Sequence, residues 1–150
     1  MASFKFRLQK VLDYKQQVED TKKQELFHLM KIFHEEEKVL IKLHELLLKK
    51  LSEFEEKQQG ELDILELLFY SGYISRLNGE IEQQREKLKE IARQITQKRE
   101  EVIAASKERR IMEKLREKKY KEFMKEESRR EQKFLDEIGN NAFVRNMEGR

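Results

Sequence analysis

Apolar residues return along the first half of the chain at heptad spacing. Leu12, Leu26, Phe33, Leu40, Leu47 and Phe54 form one row, interrupted at Glu19. Val11, Val18, Ile32, Val39 and Leu46 run beside it, with Leu8, Leu29 and Leu43. This spacing returns side chains to one stripe of a helix slightly underwound toward about 3.5 residues per turn. The second half repeats the pattern with Leu77, Ile81, Leu88, Ile91, Ile95, Val102, Met112 and Leu115.

The two halves mirror each other. Pairing residues whose numbers sum to about 120 matches Leu8 with Met112, Val18 with Val102, Leu29 with Ile91, Val39 with Ile81 and Leu43 with Leu77. It also sets Lys22 opposite Lys98, where both rows turn polar. The mirror point is Gly60, in the polar stretch EEKQQGELD, and a lone Gly between two heptad runs is a reasonable helix stop. The pattern predicts one coiled-coil domain: a helix over about 3–57, a bend at about 58–62 and a second helix over about 63–138. A tail, GNNAFVRNMEGR, is expected to fray. The same stripe would also serve pairing between two chains, so sequence leaves open whether the seam is closed within one molecule. In this register, everything after about Tyr120 outruns the first helix.

Composition agrees with the pattern. Charged residues make up 42% of the 150, Pro, Cys and Trp are absent, and there are five Gly. With so few breakers a helix has little reason to stop, and the expected class is all-α and elongated with a thin apolar seam. The net charge of +3 is too even to imply nucleic acid. Absence of Cys excludes disulfides and fits a reducing compartment. The opening MASFKFRLQKVLDYK has no signal-peptide core, and LELLFY is broken by Glu66 and too short to span a bilayer. A soluble, cytoplasmic protein is expected.

Catalytic chemistry finds no foothold. His28, His34 and His44 point in three directions around a helix, so no pair has the spacing of a helical metal site. Carboxylate runs such as HEEEK at 34–38 read as solvated faces with partners one turn away. No phosphate-binding loop or nucleophile elbow occurs, and a two-helix hairpin offers no enclosed pocket. The reading is a non-enzyme with no catalytic residue, cofactor or metal.

Two surfaces stand out. Residues 107–121, KERRIMEKLREKKYK, carry eight basic and three acidic side chains, and FKFRLQK at 4–10 adds Lys5, Arg7 and Lys10. The register brings these together as a basic tip with Phe4, Leu8, Met112, Leu115 and Tyr120 interleaved. It reads either as a solvated cap or as a tip that docks in an acidic groove or ring. RNA is a weaker reading, because no aromatic stacking platform accompanies the charge, and no nucleic acid is expected. The second surface is FYSGYISRLNGEIEQQR at 69–85, which is more apolar than one seam needs and is weakened by Gly72 and Gly79, about 1 kcal/mol each. Packing near the bend accounts for Phe69, Ile74 and Leu77, and the remaining aromatic surface suggests a partner patch.

FKFRLQKVLDYK resembles the opening of the flagellar export protein FliJ family. FYSGYISRLNGEIEQQ resembles its mid-chain pattern, and MEKLREKKYKEFMKEESRREQKFLDE its C-terminal signature. The resemblance spans nearly the whole chain. It implies an antiparallel two-helix coiled coil similar to the central stalk of rotary ATPases, serving flagellum biogenesis and motility. The implied partners are the hexameric flagellar export ATPase, the cytoplasmic domain of the membrane export gate protein, and export chaperones. The implied location is cytoplasmic, peripheral at the inner membrane through those partners at the flagellar base. By resemblance the gate contact falls on Tyr73, Leu77, Glu80 and Gln84, with Glu80 standing where a small residue is expected. The ATPase contact is expected at Phe4, Arg7, Leu8, Lys10, Leu115, Arg116, Lys118, Lys119 and Phe123. A coiled-coil chaperone or adaptor without a stalk role is the alternative.

Overall fold

The computed structural model describes residues 2–61 and 63–149. They form two helices, α1 (Gln9–Gln59) and α2 (Ile64–Glu148), of 51 and 85 residues, with no strand among the described residues. The fold is an all-α hairpin in which α1 and α2 pack antiparallel. α2 runs through Gly72, Gly79 and Gly139 without a break, and no Gly has a positive φ. The expected end of the second helix near 138 is therefore too early. An isolated Gly costs about 1 kcal/mol relative to Ala but does not by itself stop a helix, and no Pro follows it.

α1 starts at Gln9 and not near residue 3. Residues 2–6 are non-helical, and the Gln9 N–H donates to the Phe6 carbonyl at 3.1 Å as the chain turns into the helix. No acidic residue lies in the first turn of α1 to favour the positive end of its dipole. What holds this segment is a contact of Phe4 with rings on α2, described below.

The bend is set by Asp63 more than by Gly60. The Asp63 carboxylate accepts the Leu65 N–H at 3.0 Å, and its carbonyl accepts the Leu67 N–H at 3.0 Å, which makes it the N-cap of α2. Glu66 sits three residues on, in the first turn, and pairs with Lys57 near the end of α1 at 2.9 Å. Gln84 bonds Glu36 at the expected sum of 120, whereas several ion pairs between the helices fall three residues away from it. Lys22–Glu101, Glu25–Lys98, Glu36–Lys87 and Lys57–Glu66 each sum to 123.

The chain falls into two compact units. The first, Asp20–Ile103, holds an apolar seam of Leu77, Ile81, Leu88, Ile91 and Ile95, none more than 9% exposed. These recur at heptad-compatible intervals of four, seven, three and four residues, the knobs of a coiled-coil stripe, and each is worth about 1.5–3 kcal/mol on burial. Lys22 and Lys98 do not oppose each other across this unit. Lys98 pairs with Glu25 at 2.7 Å and Glu101 at 2.8 Å, and Lys22 with Glu101 at 3.2 Å, so four charges alternate in sign where the seam turns polar.

The second unit joins Met1–Glu19 to Ala104–Arg150. Its buried residues are Leu12, Ala105 and, at 1% exposure, Glu19. Within it every residue from 128 to 149 is exposed, so the last turns of α2 have no mate among the described residues.

Candidate functional site

The terminal unit gathers most of the residues expected to contact the ATPase. Phe4 meets Tyr120 edge-on at 5.3 Å between centroids and Phe123 at 5.5 Å, and the Arg116 guanidinium lies 5.6 Å from the Phe4 ring. These three α2 positions recur at spacings of three and four residues, so they share one face. Arg116 also donates to the Gln9 side-chain oxygen at 3.0 Å, fastening the first turn of α1 to α2. The result is a clasp: an aromatic wedge held by rings and a cation. Beside it lies a groove of about 800 Å³, lined by Phe4, Phe6, Leu8, Leu115 and Phe123, with Lys5, Arg7 and Lys119 among its charged residues.

The set divides by exposure. Phe4, Leu115 and Phe123 are half-buried, whereas Arg7, Lys10, Lys118 and Lys119 are exposed. Lys119 approaches Glu122 at 3.6 Å. Leu8 is 36% exposed and closes one side of the groove. Arg116 is therefore partly committed to holding the clasp, whereas Lys10 and Lys118 lie exposed beside it.

Sequence reasoning missed Glu19. Read as an interruption of the apolar row, it is the most buried charged side chain among the described residues. Arg109 binds it, and Arg109 also pairs with Glu113 at 2.7 Å. The hydrogen bonds to Glu19, and then to Glu113, hold the Arg109 proton more firmly than usual. The available signal was position: Glu19 stands in the heptad row between Leu12 and Leu26, where a charge needs a partner.

The residues expected at the export gate are dispersed. Leu77 is a core residue, 3% exposed. Gln84 donates to the Glu36 carbonyl at 2.9 Å and carboxylate at 2.7 Å, so it faces α1. That bond, followed by the one from Lys87, holds the Glu36 carboxyl below its ordinary range. Glu80 pairs with Arg76 on its own helix at 3.3 Å. Tyr73 is half-buried, stacked on Phe69 at 6.4 Å with Lys50 5.5 Å from its ring. Lys50 in turn bonds Glu53, which holds the Lys50 proton above its ordinary value. Of the four, Leu77 is buried and Tyr73, Glu80 and Gln84 are half-buried.

Among the described residues no cluster of His, Asp and Glu has the arrangement of a metal site, and no helix is long and apolar enough to cross a membrane.

Comparison with known proteins returns one family: the model described as flagellar FliJ protein matches residues 4–148. No curated protein and no solved structure matches the chain. The match covers the clasp, the bend and the unaccompanied end of α2 alike. The chain belongs to the flagellar FliJ family, a family of non-enzymatic components of the flagellar export apparatus.

Proposed function

We propose that the protein acts as a central stalk of the flagellar export ATPase, promoting assembly and activity of the hexamer and linking it to the export gate and export chaperones. One observation carries the reading: α2 continues as helix to Glu148 while every residue from 128 to 149 is exposed. A helix that outruns its mate is suited to enter a ring. Its charged surface keeps it hydrated, and the exposed Lys118 and Lys119 at its base supply attraction to an acidic lumen that weakens as salt rises.

Hydrolysis by the cognate export ATPase tests this, with the protein added whole or truncated after Lys119. Stimulation by the whole chain and its loss on truncation is the expected result. Stimulation that survives truncation removes the stalk role of this helix. Reversal of charge at Lys118 and Lys119 is expected to reduce stimulation with helicity unchanged.

The adaptor reading has its own support. Phe134, Leu135, Phe143 and Met147 lie at 60% exposure or more on the same stretch, and apolar surface of that kind suits holding an export chaperone better than turning freely. Absence of any ATPase stimulation, with chaperone binding retained, favours it.

A further inference from the structure

α2 opens with Ile64, Leu65, Leu67, Leu68 and Phe69, apolar all round, a pattern that belongs to buried helices. In this structure only one side is used. Leu67, Tyr70 and Ile74 turn inward, while Ile64, Leu65, Leu68 and Phe69 stand 63–78% exposed. At about 100° per residue those four and Gly72 occupy one continuous face. A Cβ placed on Gly72 meets nothing within 4 Å, so the face ends in an open, flat floor that admits close approach. Phe69 is fixed despite its exposure, edge-on to Tyr70 at 6.2 Å and stacked on Tyr73 at 6.4 Å. A ring braced by neighbouring rings and left in water offers a contact at lower cost in side-chain freedom than an unbraced one.

We propose that this face docks a basic amphipathic helix of a partner protein. Charge decides the occupant. Between residues 49 and 66 stand Glu53, Glu55, Glu56, Glu61, Asp63 and Glu66 against Lys49, Lys50 and Lys57. Lys50 pairs with Glu53 at 3.1 Å and Lys57 with Glu66 at 2.9 Å, so the acids remain in excess, and Arg76 at the far end of the face is paired with Glu80 at 3.3 Å. An anionic bilayer or a nucleic acid is repelled by such a rim, and so is the same face of a second copy. A helix with aliphatic residues on one side and Lys or Arg flanking them satisfies both the apolar face and its rim. This surface adjoins Tyr73, whose ring stacks on Phe69, but lies apart from Leu77, Glu80 and Gln84 and from the residues assigned to the ATPase. Its test is therefore separate from that of the stalk reading.

The test uses the full chain, isotopically labelled, titrated with a synthetic Leu/Lys peptide of about 18 residues patterned as an amphipathic helix. A scrambled peptide of the same composition and a Leu/Glu peptide serve as controls. The expected result is amide shifts confined to the 64–72 region and affinity that falls as salt rises. Affinity is also expected to fall by roughly tenfold or more in Leu65→Lys/Leu68→Lys, whose helicity by circular dichroism is unchanged. Equal binding of the scrambled peptide, shifts centred elsewhere, or undiminished affinity in the variant overturns the proposal. So does sedimentation showing a wild-type dimer that the variant lacks, because the face then belongs to a second copy.

Discussion

The same two helices are held together differently in the two units. In Asp20–Ile103 the seam is apolar, with Leu77, Ile81, Leu88, Ile91 and Ile95 buried in a regular stripe and the charges of Lys22, Glu25, Lys98 and Glu101 kept at the surface. In the terminal unit a carboxylate occupies the seam: Glu19 is buried with Arg109, flanked by Leu12 and Ala105, and a non-helical segment supplies Phe4 as a wedge. Burying a charge pair costs desolvation that its mutual attraction repays only in part, whereas buried aliphatic side chains stabilise outright. The lesson is a gradient: the first unit is the stable one, and the terminal unit opens at lower cost. Elements that engage partners are commonly drawn from the less stable end.

The strongest way to break the comparison is within the apolar seam. Ile91→Ala is expected to cost about 2–5 kcal/mol, read by urea unfolding, with hydrogen-exchange protection lost across residues 77–95. A loss below about 1 kcal/mol means the seam is not the main source of stability.

Next comes the charged seam of the terminal unit. Arg109→Leu removes the guanidinium from a carboxylate with 1% exposure, so faster exchange is expected at residues 9–19 and 104–115, with 77–95 little changed. Glu19→Leu/Arg109→Leu is expected to recover the protection, because no charge is then left in the seam. If the double variant stays as weak as the single, the pair contributes more than the desolvation argument allows.

Phe4→Ala sharpens the comparison at the clasp. Two ring contacts and a cation are lost, and about 1–2 kcal/mol of local stability with them. Faster exchange at the first turn of α1, with the seam of the other unit unaffected, is the result that supports the gradient.

The smallest effect is acid weakening of the ionic cluster. The hydrogen bond from Lys98 lowers the Glu25 and Glu101 carboxyls from their ordinary value of 4.5. Folding thus favours their charged forms. Their contribution is complete above that value and is lost as pH falls through the depressed values below it. A melting temperature that declines below pH 4.5 in the wild type, and less steeply in Glu25→Gln/Glu101→Gln, is expected.

The sequence by itself determined the all-α class, a heptad seam that an antiparallel hairpin can close, and the charged stretch of α2 that outruns α1. Heptad spacing and the absence of Pro fix where a helix turns its apolar side and leave it nowhere to stop. Periodicity could not determine the register. A displacement of three residues along a heptad seam still sets apolar residues opposite one another, so the sums of 120 and 123 look alike in sequence, and only the ion pairs across the seam distinguish them. Nor could it find the start of α1, because the Phe4 wedge depends on rings more than a hundred residues away. Spacing placed Leu77 in the seam, but only the tertiary structure decided that Gln84 faces α1 while Leu65, Leu68 and Phe69 face water. Period tells which residues share a face, and only the packed partner tells which of two apolar faces it covers. Glu19 follows the same rule: spacing placed it in the seam, and the reach of Arg109 from α2 gives the buried carboxylate a cation there.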